Sequence, residues 1–185
     1  MVAVDTPLGE IGMQAPSFSL RNVDNSTQSF SELQGKNGTV VVFMCNHCPF
    51  VKAVLDELIT ASTALQEQGV NMIAINSNDT EQYPDDSFEN MQQLAKEKAF
   101  PFSYLIDETQ QVAKDYGAVC TPDFFGFDKD GLLKYRGRLS ETRPNAPAPD
   151  GAPCDLLDAM VQIKENGEAP AEQLPSMGCS IKWRA

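Results

Sequence analysis

From Gly38 the chain runs Thr39-Val40-Val41-Val42-Phe43-Met44 without one charged side chain and then delivers Cys45-Asn46-His47-Cys48. A β-branched run with no polar alternation is the pattern of a strand buried on both faces, as in a parallel sheet covered by helices. Beyond it Val51, Val54, Leu55, Leu58, Ile59 and Leu65 recur at helical spacing, and Gly69 stands where a glycine ends a helix. A second apolar run, Val70 to Asn76, follows. Strand, helix and strand make a βαβ unit with an expected right-handed crossover. The four-residue cysteine motif opens its helix.

The rest of the chain is consistent with a single α/β domain over residues 1–185, with its core at about 15–166. Ser17 to Leu20 and Gln28 to Phe30 flank a turn-like Asn22 to Ser26 and predict a small hairpin. A helix is expected near Asp86 to Lys98, a strand at Phe102 to Ile106 and a short helix at Thr109 to Tyr116. Thr121 to Phe127 and Leu132 to Arg136 flank Asp128-Lys129-Asp130-Gly131, whose Asp-Gly pair predicts a second hairpin. An EF-hand loop starting at Asp128 fails, because its twelfth position is Leu139 rather than Glu. Pro144, Pro147, Pro149 and Pro153 make 140–153 a surface loop, and a last helix is expected from Cys154 to Asn166, closed by Gly167. The tail, 167–185, has no assigned element; its Leu174, Met177, Ile181 and Trp183 are available to pack back.

Fourteen Lys and Arg against 26 Asp and Glu give a formal charge of -12, which repels phosphate backbones and anionic lipid, so neither nucleic acid nor membrane is expected as a partner. The apolar runs fall short of the roughly 20 residues of a membrane span. Met1 to Pro7 lacks a basic segment followed by an apolar core, so the expectation is a cytoplasmic protein. Five cysteines cannot all pair, and a chain of 185 residues builds a core without disulfide staples. The cysteines are available for chemistry.

Cysteines two residues apart on a helical first turn can close a small disulfide, with the first sulfur exposed. Unpaired N–H groups and the helix dipole there stabilise a thiolate. On this reading Cys45 is the nucleophile, and Cys48, deeper in the turn, resolves the mixed disulfide. His47, the one histidine of the chain, lies between them and stabilises the thiolate when protonated. A closed zinc site needs a second ligand pair, whereas Cys120, Cys154 and Cys179 are isolated in sequence.

The chain resembles the thioredoxin-like superfamily, in the redoxin branch that also contains the peroxiredoxins and the thiol-disulfide oxidoreductases. The resemblance rests on Ala15-Pro16-Ser17-Phe18-Ser19-Leu20, Cys45-Asn46-His47-Cys48-Pro49 and Thr121-Pro122. It implies a thioredoxin-like fold: a central mixed sheet with helices on both faces, an N-terminal β-hairpin and an inserted helix-strand unit between about Asp86 and Ile106. It also implies that Pro122 is cis and faces the motif, and that Thr121 and Pro122 form the edge on which substrate is recognised; Asn46 is grouped with them as substrate-binding. Two departures stand out. Met44 occupies the place of the tryptophan before the first cysteine, and Thr39 that of a buried carboxylate.

The implied activity is thiol-disulfide exchange on protein or small-molecule disulfides, with a thiol electron donor and no organic cofactor. Cys120, beside Thr121, is a possible additional redox thiol. Peroxide reduction of the peroxiredoxin type is the second reading, although a proline seven and a threonine three residues before the reactive cysteine are absent. Counting back from Cys45 gives Gly38 and Val42, and from Cys48 gives Val41 and Cys45. Arg136, Arg138 and Arg143 are read as a solvated basic patch in preference to a peroxide-polarising group. A third reading is soft-metal capture, copper or zinc, by Cys45, Cys48 and His47.

Overall fold

The computed structural model describes residues 3–184. Along it run β1 (Ala3–Asp5), β2 (Ser19–Asn22), β3 (Thr27–Ser29), α1 (Phe30–Leu33), β4 (Gly38–Phe43), α2 (Pro49–Glu67) and β5 (Val70–Asn76). A 3₁₀ turn at Pro84–Asp86 leads into α3 (Phe88–Glu97), β6 (Ser103–Ile106), α4 (Gln111–Tyr116), β7 (Cys120–Thr121), β8 (Asp123–Phe127), β9 (Leu133–Tyr135), α5 (Asp155–Asn166) and β10 (Met177–Ser180). Seven strands form one mixed sheet in the order β3-β2-β6-β5-β4-β8-β9.

The β-branched run is the inner strand that its composition demands. β4 is buried at every residue, parallel to β5 on one side and antiparallel to β8 on the other. Its alternation decides which side chain enters which core. Val40, Val42 and Met44 join Leu58 and Leu65 of α2, Met91 of α3 and Met160 of α5 in one cluster. Val41 and Phe43 join Ile73, Ile75, Phe125 and Phe127, together with Phe30 of α1 and Tyr116 of α4, in the other. Helices therefore cover both faces. Each fully buried apolar side chain of this size contributes about 1.5–3 kcal/mol, so two such layers outweigh any local propensity.

Both hairpins form, β2 with β3 and β8 with β9. The first ends earlier than the expected Phe30, because Ser29 and Glu32 make a capping box that starts α1. The Ser29 backbone N–H donates to Glu32 Oε2 at 2.8 Å, and the Glu32 backbone N–H to Ser29 Oγ at 3.4 Å.

The tail folds. β10 lies between β1 and β7 in a second, antiparallel sheet, and Ile181 is buried while Trp183 and Leu174 each stay 41% exposed. The arginine patch of the sequence reading is corrected in the same region. Arg136 is buried, its Nη2 3.0 Å from Asp123 Oδ2 and its guanidinium 4.5 Å above the Phe125 ring, and Arg138 Nε meets Asp155 Oδ2 at 2.5 Å. These two arginines neutralise carboxylates of the fold, and Arg143 alone of the three is exposed. Among the described residues no helix is long and apolar enough to cross a membrane.

Candidate active site

Pro49 decides how the motif is presented. Proline fits the first position of a helix, and its ring drives the preceding residue out of the helical region. Accordingly Cys48 is extended (φ -64°, ψ 124°) and caps α2 instead of lying within it. The sequence expectation of both cysteines on the first helical turn is corrected, and with it the expectation of an exposed first sulfur. Cys45 is 1% and Cys48 0% exposed.

This moves the charge. The N–H groups and positive end of α2 meet Cys48, one turn further along than Cys45. Cys48 Sγ lies 3.1 Å from the carbonyl oxygen of Thr121, to which its thiol donates when protonated. Once a proton leaves the pair, the charge settles on Cys48. Hydrogen bonds from the Cys45 thiol, the Cys179 thiol, Thr121 and the Val51 N–H outweigh burial and hold it below the usual thiol range. Cys45 is pushed well above that range, first by its hydrogen bond to Cys48, then by burial and by the Asp86 carboxylate.

Asp86 is the functional residue that sequence reasoning missed. It is fully buried at the end of the 3₁₀ turn, and its four hydrogen bonds organise the motif. Oδ1 accepts from the backbone N–H of Asn46 (2.8 Å) and His47 (3.2 Å), while Oδ2 accepts from His47 Nδ1 (2.6 Å) and Asn78 Nδ2 (2.8 Å). A buried carboxylate requires this satisfaction. Nothing in the spacing marks it, since Asp86 reads as one of several acidic residues opening a helix. Thr39, which stands in the place of a buried carboxylate, accepts the Gly35 N–H at 3.0 Å.

His47 Nδ1 also lies 3.9 Å from Cys45 Sγ, and the ring stacks on Tyr83 at 5.6 Å. Because the same nitrogen donates to Asp86, it is not open to take a proton from Cys45. The ring stands between the Asp86 carboxylate and the sulfur, so a protonated His47 would set a positive charge beside both. Asn46 is tied within the loop: its Nδ2 donates to the Asp85 carbonyl at 3.0 Å and its Oδ1 accepts from Tyr104 Oη at 2.9 Å. These bonds make it a loop fastener.

We predict that Asp86→Asn lowers the pH at which Cys45 titrates, since the raising charge is gone. It also costs about 1–3 kcal/mol, because the amide nitrogen now faces donors. The pH dependence of Cys45 alkylation, read by mass, and thermal unfolding check the two parts.

The peptide bond Thr121–Pro122 is cis, and Thr121 Oγ1 lies 3.5 Å from Cys45 Sγ. The two residues stand beside the motif, but the backbone edge at Thr121 is occupied by the chain itself: Cys179 pairs with Thr121 and Ser180 with Cys120. A narrow cleft lined by Phe50, Val54, Pro122, Leu139, Arg143 and Met177 opens next to it. Cys120 turns away. Successive side chains of a strand point to opposite faces, so with Thr121 toward the motif the Cys120 thiol bonds the Pro122 carbonyl at 3.7 Å, and burial raises its pKa. The neighbouring thiol of the motif is Cys179. Cys154 caps α5 half-buried, and burial pushes its thiol up to about 11.

Cys45, His47 and Asp86 each offer a ligand atom within 4.8 Å of the others, one soft sulfur, one borderline nitrogen and one hard oxygen, all donor types that zinc accepts. It differs from the sequence-derived trio by Asp86 in place of Cys48. A metal there would have to displace the proton held between His47 and Asp86, and that 2.6 Å hydrogen bond accounts for the closeness of the two.

A family model described as the AhpC/TSA family matches residues 11–136. The thiol-disulfide oxidoreductase ResA of Bacillus thuringiensis subsp. konkukian is 28% identical over 137 residues, covering 72% of this chain and 73% of that one. The crystal structure of an uncharacterized conserved protein from Geobacillus kaustophilus superposes with a TM-score of 0.93 and 46% identity over 100% of this chain and 97% of that one. A putative thioredoxin from Neisseria meningitidis, at 22% identity, gives a TM-score of 0.61 over 83% and 93% of the two chains. The fold is thioredoxin-like.

Proposed function

The chain belongs to the AhpC/TSA family, and from that footing we propose that it is a thiol-disulfide oxidoreductase working through Cys45 and Cys48. The observation that carries this reading is the pair of thiols at the strand-to-helix turn, both buried against Thr121 of the cis Thr121–Pro122 bond, Cys45 Sγ 3.5 Å from Thr121 Oγ1 and Cys48 Sγ 3.1 Å from the Thr121 carbonyl oxygen.

The two sulfurs divide the labour. The thiolate is the attacking form, so Cys45 attacks an external disulfide as it gives up its proton, and Cys48 stands next to it to resolve the mixed disulfide and to leave when the pair is reduced again. Cys45 attacks one sulfur of the substrate, its proton goes to the departing substrate sulfur, and a mixed disulfide forms. Cys48, already a thiolate, then attacks Cys45 and releases the second substrate sulfur as a thiolate. One substrate disulfide becomes two thiols while the pair becomes a disulfide, and a thiol donor returns it. Substrates of this chemistry are protein or small-molecule disulfides.

Equilibrating the protein in glutathione redox buffers, quenching with acid and alkylating tests the proposal. The tryptic peptide 37–52 carries both motif cysteines, and oxidising poise should remove alkylatable thiol from it in a single two-electron transition. Full alkylation of both at every poise would sink the reading.

A further inference from the structure

The tail brings a third sulfur to the motif. β10 runs antiparallel to β7 with Cys179 directly opposite Thr121, and directly opposed residues place their side chains on one face of a sheet. The face is that of the motif, because Thr121 Oγ1 lies 3.5 Å from Cys45 Sγ and the Thr121 carbonyl 3.1 Å from Cys48 Sγ. Cys179 is buried there, and its thiol is one of the groups that lower the Cys48 thiol. The strand is anchored on both flanks: Ser176 Oγ donates to the Pro122 carbonyl at 2.7 Å, and the Lys182 N–H to Asn78 Oδ1 at 2.9 Å. Between them Gly178 lies so close to β7 that a Cβ on it would stand 2.1 Å from the Thr121 carbonyl oxygen. No other cysteine reaches the motif this way, Cys120 being turned to Pro122 and Cys154 lying at α5.

We propose that Cys179 is a third exchanging thiol of this site, one that takes Cys48 over from Cys45, so that the oxidised chain divides between a Cys45–Cys48 and a Cys48–Cys179 disulfide. The inference rests on the reading of Cys45 and Cys48 as a redox couple. In the exchange the Cys179 sulfur attacks Cys48 Sγ, the Cys48–Cys179 bond forms and the Cys45–Cys48 bond breaks. Cys45 leaves with the electron pair of the broken bond and takes up the proton that Cys179 gives up. No electrons enter or leave, and no further oxidant is involved. Cys179 and Cys48 both face Thr121, and bonding needs their sulfurs to close to the disulfide length of about 2 Å. The product frees Cys45 as a thiol while β10 becomes covalently fastened across the motif.

Trypsin separates the two disulfides, since peptide 37–52 holds both motif cysteines and peptide 165–182 holds Cys179. Cys45–Cys48 appears as an internal loss of two hydrogen atoms from 37–52, and Cys48–Cys179 as a cross-link between the two peptides. Wild-type protein equilibrated in glutathione redox buffer and acid-quenched is expected to show both species, and Cys179→Ala to lose the cross-link completely while the internal disulfide persists. Cys45→Ala, a second and independent variant, should convert glutathionylated Cys48 into the cross-linked form. The proposal is overturned if wild type shows only the internal disulfide and Cys45→Ala stops at glutathionylated Cys48. That result leaves the redox couple standing, whereas absence of both disulfides at every poise overturns the couple and the inference together.

Discussion

Replacing Cys45 with serine is expected to lower disulfide-reductase turnover by at least about a hundredfold, because a hydroxyl cannot form the mixed disulfide on which the cycle depends. Cys48→Ser is expected to behave differently. The first attack survives, and the variant stops with substrate covalently attached to Cys45. It should even attack at lower pH than the wild type, since the hydrogen bond to Cys48 is the largest of the influences that raise the Cys45 thiol. Intact-mass spectrometry after mixing with glutathione disulfide reads this directly, as one added glutathione per Cys48→Ser chain. Retention of turnover in Cys45→Ser with its loss in Cys48→Ser would reverse the two roles.

The second large effect is expected at Gly178, which touches no sulfur. A methyl group there meets the Thr121 carbonyl oxygen at 2.1 Å and the Pro122 nitrogen at 3.1 Å, both backbone atoms that cannot swing aside. Overpacking of this kind costs about 2 kcal/mol, and here the cost falls on the seating of β10 against β7. Local opening of the tail should then be about 30-fold more populated, since about 1.4 kcal/mol is a factor of ten. Alkylation of Cys48 and Cys179 in the reduced protein should accelerate by that factor, with a smaller change at the half-buried Cys154, which lies at α5 away from β10. Unchanged alkylation rates with a lowered unfolding midpoint would mean that β10 does not control access to the site.

Much of this architecture was readable from local pattern. The unbroken Thr39 to Met44 run could only be an inner strand, and helical spacing from Val51 to Leu65 set α2 beside it, because both signals are periodicities a few residues long. Hairpin turns, and the Gly167 that ends α5 at φ +78°, are equally local. The neighbourhood of Pro49 was readable too, though the helix start was drawn one turn early. What could not be read were pairings between distant segments. Asp86 resembles any acidic residue at a helix start until β5 and the 3₁₀ turn carry it under the motif. Arg136 looks like part of a solvated patch until β9 sets it against Asp123 of β8.

The five cysteines divide along the same line. Their sequence alone determined that Cys45 and Cys48 lie together at the end of a buried strand, because the β-branched run stops at Met44 and Pro49 starts the helix. Which of the two carries the charge depends on the field of α2 and on Asp86, and both are set by packing. Cys179 and Cys120 exchanged standing for a similar reason. Chain proximity put Cys120 beside Thr121 but strand alternation points it away, while an antiparallel pairing brings Cys179 in from the far end of the chain. Local spacing dictates conformation, whereas hydrogen-bond register between remote strands dictates which thiols meet.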